Sequence, residues 1–139
     1  MLGFYTIRKL AEAKKLPDYL INQRMQLISY AWLGEPVTKM NWMYYWELYD
    51  IENSRPISRD LLFVCHQIVH SYVFVTAFTE TNELESILVT SDRERHKILY
   101  QISIQQIIDL FEQVGNNYPE EVTMIYNAAK QDYEVRYAH

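Results

Sequence analysis

The chain has few of the residues that punctuate or cross-link a fold: three glycines, four prolines and one cysteine in 139 residues. So few turn formers argue for long regular elements and against a sandwich of many short strands. With Cys65 standing alone, neither an intrachain disulfide nor a cysteine-based zinc site is open to the chain. No apolar run approaches the ~20 residues of a membrane span. Arg8, Lys9, Glu12, Lys14 and Lys15 interrupt the N-terminal stretch where a secretory signal would be apolar. The expectation is a cytoplasmic protein with no membrane partner.

What is present is globular. Apolar residues make up 49% of the chain and charged residues 22%, too apolar a mixture for a disordered segment. The length suits one domain with its own core, residues 1–139. The net charge of −5 argues against bulk attraction to nucleic acid. The charge is uneven: residues 1–24 carry an excess of +3 and the remainder sums to −8.

Residues 6–15 are compatible with a helix that ends at Leu16-Pro17. Pro17 suits the first position of a second helix running towards Leu33, with Gly34 as its stop. Pro36 opens a third helix to about Asp50, which gives a possible helical subdomain over residues 1–50. Asn53, Ser54 and Pro56 mark residues 51–57 as a linker. Ser58 caps a fourth helix to about Tyr72.

Val73, Phe74, Val75 and Thr76 then favour an extended strand. Leu84 to Thr90 returns as its partner across a turn at Asn82-Glu83, setting Phe78 opposite Ile87 and Thr76 opposite Val89. Ser91 and Glu94 form a capping box for a long amphipathic helix to about Val114. Its buried half holds Leu99, Tyr100, Ile107 and Phe111. A last helix spans Pro119 to about Tyr137. The predicted fold is mostly α: a bundle of five to six helices with one inserted β-hairpin at about residues 73–90.

Two stripes carry candidate function. Trp42, Tyr45, Trp46 and Tyr49 follow helical spacing on the third helix. Tyr and Trp combine apolar area with a polar edge, which suits a surface that holds a protein partner or a second copy of the chain. A non-enzymatic binding domain is therefore the leading reading. On the fourth helix Arg59, His66 and His70 share a polar stripe in otherwise apolar surroundings. The Glu of a His-Glu-x-x-His zinc motif is missing, since Gln67 follows His66. A metal held by His66 and His70 would need a third ligand such as Asp92, Glu94 or His96. No metal is expected, and no cofactor motif is present.

Arg59-Asp60 followed by His66 resembles the Arg-polar-x(4–6)-His motif of the HEPN superfamily. The run from Cys65 to Tyr72 is similar to that family's motif helix in a second alignment, with His70 as the motif histidine and Cys65 in the place of Arg. The resemblance implies a helical bundle and metal-independent binding or cleavage of RNA. Arg59 would hold the phosphate, and His66 or His70 would act as acid or base.

A third pattern lies at the N-terminus. Leu10-Ala11, Leu16-Pro17 and Ile21 resemble the helix-turn-helix of small DNA-binding regulators, with Lys14, Lys15 and Arg24 as the residues facing nucleic acid. Lys15 stands where such turns take Gly, and Lys14 where they take an apolar residue.

Overall fold

In the computed structural model, residues 2–13, 15–116, 121–127 and 132–138 are described. The order is α1 (Leu2–Glu12), α2 (Asp18–Ile21), β1 (Arg24–Ala31), α3 (Tyr45–Leu48), β2 (Arg55–Asp60) and α4 (Leu61–Val69). It continues with β3 (Ser71–Phe78), β4 (Leu84–Ser91), β5 (Ile98–Ser103), α5 (Ile104–Asn116), β6 (Glu121–Asn127) and β7 (Asp132–Ala138). β1 to β5 form one antiparallel sheet in the order β2-β1-β5-β4-β3, and β6 pairs with β7. The helical-bundle expectation is therefore wrong: this is an α+β fold built on a five-stranded sheet.

Side-chain period explains the correction. In β1, Met25 and Leu27 are buried while Arg24 and Gln26 are exposed. That is the period of two that a half-covered strand requires. Leu99 and Tyr100, expected on one face of a long helix, are neighbours in β5. They enter opposite clusters, each with at most 1% of its surface exposed. The Ser91 cap forms, with Ser91 Oγ accepting from the Glu94 N–H at 3.2 Å, but it closes a single turn before β5.

The hairpin is present as β3 and β4 with its register shifted by two residues. Thr76 pairs with Ile87 and Phe74 with Val89, and an irregularity between Ala77 and Phe78 sets Phe78 opposite Leu84. The two-residue turn is replaced by a loop over residues 79–83, in which Asn82 takes the left-handed conformation at φ 62°. Asn tolerates that region better than most residues. Residues 55–57, expected in a linker, open β2. The expected last helix is replaced by β6 and β7.

One face of the sheet is closed by α1, α4 and α5. Phe4, Ile7, Leu61, Val64, Cys65, Ile68, Ile107 and Leu110 pack there on Met25, Leu27, Ile87, Val89, Tyr100 and Ile102. α4 carries the chain across the sheet from edge strand β2 to edge strand β3. Asp60 caps it by accepting from the Phe63 N–H at 2.8 Å, in the role expected of Ser58. In α5, Ile107 and Leu110 are buried whereas Phe111 is 40% exposed, so the buried stripe is narrower than the sequence implied.

The other face is closed only in part, by the stretch between β1 and β2. Tyr30, Val37, Leu48, Tyr49, Val73, Leu88 and Leu99 form a second cluster there. No helix among the described residues is long and apolar enough to cross a membrane.

Candidate functional site

The aromatic stripe is not one helix face. Only Tyr45–Leu48 is helical, and Gly34 at φ 104° and Pro36 open a looped flap in place of a long helix. The flap is stitched at many points. Tyr49 has no exposed surface, and its hydroxyl donates to the Arg95 carbonyl at 2.6 Å. Burial pushes the Tyr49 phenol far above its usual range, so it stays a donor. The Val37 N–H donates to His96 Nε2 at 3.0 Å, and Trp32 lies against the His96 ring at 4.9 Å. Trp32 bridges to Tyr49, Leu33 N–H donates to the Leu48 carbonyl at 3.0 Å, and Asp50 N–H to the Ala31 carbonyl at 2.8 Å. The Thr38 N–H donates to Asn41 Oδ1 at 2.7 Å, closing the tip.

Of the four aromatics expected to face a partner, Tyr49 is core. Trp42 and Tyr45 are half-buried against the second cluster, and Trp46 is 55% exposed. Residues of the same flap that spacing did not single out are exposed as well: Tyr44 at 46%, Met43 at 39%, Met40 at 84% and Leu33 at 57%. Tyr44 and Tyr45 both meet the Trp46 ring edge-on, at 5.8 and 5.2 Å. These contacts fix the ring's attitude.

The histidine stripe is split. Arg59 stands on β2, paired with Met25, and its guanidinium lies over the Phe63 ring at 5.1 Å. His66 and His70 occupy the last turn and cap of α4 with ring centroids 4.8 Å apart. They line an open cleft of about 320 Å³ with Ser91, Asp92 and Arg93, and Arg59 is not among its walls. Arg8 of α1 is likewise not among the walls, but its Nη1 lies 2.9 Å from His70 Nε2. A guanidinium only donates, so His70 accepts there through its unprotonated nitrogen. Burial lowers the His66 pKa, with His70, Arg93 and Arg8 adding to the effect and Glu94 opposing it. Arg8 carried no signal in the sequence, because it reaches His70 from a helix 62 positions away.

Among the described residues no three His, Cys, Asp or Glu side chains converge as a metal ion requires. Cys65 is buried, and its thiol is pushed up to about 12, which keeps it protonated and unreactive.

The remaining residues lie apart. Arg24 opens β1 and donates to Ser58 Oγ at 3.1 Å and to the Ser58 carbonyl at 3.0 Å. α2 is a single turn, so the second helix of a helix-turn-helix is not formed. Lys15 is exposed, and Lys14 lies outside the described residues. No family model, no curated protein and no solved structure matches the chain.

Proposed function

We propose that this protein is a non-enzymatic binding domain whose working surface is the flap, with Trp46 at its centre, and that the surface it meets is a second copy of the chain. The observation that carries the reading is the pairing of a 55% exposed Trp46 with a fully buried Tyr49 three residues later. The exposed ring is large, apolar and held by two aromatic neighbours, while the anchor beneath it is pinned to the turn after β4. A rigid aromatic set in this way loses little conformational freedom on binding, and Trp and Tyr are the residues that dominate binding energy at protein surfaces. Met40 and Met43 add flexible apolar cover that moulds to an opposing copy. Glu35, Lys39 and Glu47 are also exposed on the flap, and charges of both signs suit the two-fold, self-complementary contact that most homodimers use.

Sedimentation velocity over a wide concentration range tests the reading. Wild-type protein is expected to shift from monomer to dimer, and Trp46→Ala to stay monomeric with an unchanged melting temperature. A wild type that is monomeric throughout, or a dimer indifferent to Trp46→Ala, contradicts it. The ribonuclease alternative needs Arg59, His66 and His70 around one cleft, and only the two histidines stand there.

A further inference from the structure

The cleft beside α4 has no part in the flap surface, yet it gathers charge in a way that calls for a ligand. Every charged group near His66 and His70 has an identifiable partner except one. From α1, Arg8 Nε and Lys9 Nζ both turn to Glu12, at 2.9 and 3.4 Å. From the turn after β4, Asp92 is held by Arg95 at 2.7 Å, and Glu94 has Lys97 at 3.9 Å. Arg93, an exposed side chain on the cleft wall, has no ion-pair partner among the described residues. The charged side chains acting on His66 are Arg8 and Arg93 against Glu94, an excess of one positive charge in a protein of net charge −5. The one acid in the cleft wall, Asp92, is also the one drawn off by Arg95.

We propose that this cleft is a binding site for a small phosphate-class dianion, either inorganic phosphate or a phosphate monoester, held by Arg93, His66 and His70, with Arg8 standing behind His70. Arg offers two parallel donors to a phosphate, a geometry that carbonyls and hydroxyls do not match. His66 and His70 become donors when protonated, and Ser91 adds a wall residue whose hydroxyl already accepts from Glu94 N–H at 3.2 Å. The volume of about 320 Å³ lies at the small end of ligand pockets and leaves room beside the oxyanion for a compact organic group. The C-terminal end of α4 contributes negative partial charge that opposes an anion, so the attraction must come from the cationic side chains.

A bound dianion favours the protonated form of His66, so binding and protonation reinforce each other. The groups that set this balance are Arg8 from α1, His70 from α4, and Arg93 and Glu94 from the turn after β4. Affinity for sulfate, which stays a dianion, is expected to rise about tenfold as the pH falls through the histidine range. A phosphate monoester titrates near pH 6 itself, so its affinity peaks instead of climbing.

The test is an NMR titration of the histidine ring protons of the full chain with inorganic phosphate and with glycerol 3-phosphate, using His96 as an internal control. His96 is held by the Val37 N–H at 3.0 Å and stacks on Trp32, so it serves the flap and not the cleft. The expected result is a saturable shift of the His66 and His70 signals with His96 still. Tighter binding of the ester identifies a monoester as the ligand, and equal binding identifies free phosphate. Arg93→Gln, an exposed change that leaves the fold intact, is expected to weaken binding about tenfold or more, and Arg8→Gln likewise. No shift at His66 and His70, an equal shift at His96, or binding unchanged in both variants overturns the proposal.

Discussion

One face of the five-stranded sheet is closed by helices and the other by a stitched loop, and the two closures differ in what they leave outside. On the helical face the buried residues come from regular elements at helical and strand spacing, Leu61, Val64, Cys65 and Ile68 on α4 against Ile87, Val89, Tyr100 and Ile102. On the flap face a few anchors, Val37, Leu48 and Tyr49, hold a segment whose other large residues stand in solvent. The helices each hide an apolar stripe, although Tyr5, Leu62, Ile108 and Phe111 remain exposed on them. A loop pinned at intervals hides the pinned residues and displays the ones between.

Matched truncations sharpen that contrast. Leu61→Ala removes a side chain with no exposed surface from between α4 and the sheet, and is expected to cost about 2–5 kcal/mol in urea denaturation. Leu48 is as deeply buried, at 1% exposed, but lies under a loop that can settle into the space left behind. Leu48→Ala should therefore fall near the lower end, about 2 kcal/mol. Equal costs at the two positions would break the comparison.

Smaller changes probe the stitching. Tyr49→Phe keeps the ring and removes the hydroxyl that donates to the Arg95 carbonyl, an expected loss of about 1–2 kcal/mol with faster amide exchange in residues 33–48. Thr90 is fully buried, and its Oγ1 has no hydrogen-bond partner among the described residues. Thr90→Val should raise stability by about 1 kcal/mol, and a loss would mean that the hydroxyl is satisfied.

The cleft adds a dependence on pH. His66 is depressed below its usual value by burial and by its cationic neighbours. The unfolded chain then takes up the proton more readily than the folded one. Its contribution is complete above the unfolded value of about 6.5 and is lost as the pH falls below it. The melting temperature should drop between about pH 7.5 and about pH 5.5, and less so in His66→Gln. An equal drop in both proteins would remove His66 from the account.

Much of the local chemistry was legible in the sequence and most of the architecture was not. Val73 to Thr90 read as a hairpin because β-branched and aromatic residues cluster there. Ser91 with Glu94 read as a cap, and His66 and His70 as neighbours one turn apart. β1 was hidden because Pro17 and Gly34 bracket it like a helix start and stop, although Met25 and Leu27 alternate with Arg24 and Gln26. β5 was hidden behind a cap that closes one turn. Its six residues, all but two apolar, fit a buried helix as well as a strand covered on both faces. Tyr133, Val135 and Tyr137 alternate with Glu134 and Arg136, a strand pattern outweighed by Pro119 and the acids after it. Arg8 reaches His70 from 62 positions away, which no local pattern reports.

The smallest expected effect is on stability at Trp46. With 55% of its surface already in water, Trp46→Ala should change the unfolding free energy by about 0.5 kcal/mol or less. The most direct measurement of the flap's role is a dilution series followed by the backbone amide NMR shifts of the wild-type chain. Concentration-dependent shifts confined to Leu33 and residues 40–46 are expected. Shifts centred on the edge strand β3, where Phe78 is 58% exposed, or no shifts over the whole series, would contradict the assignment of the flap as the binding surface.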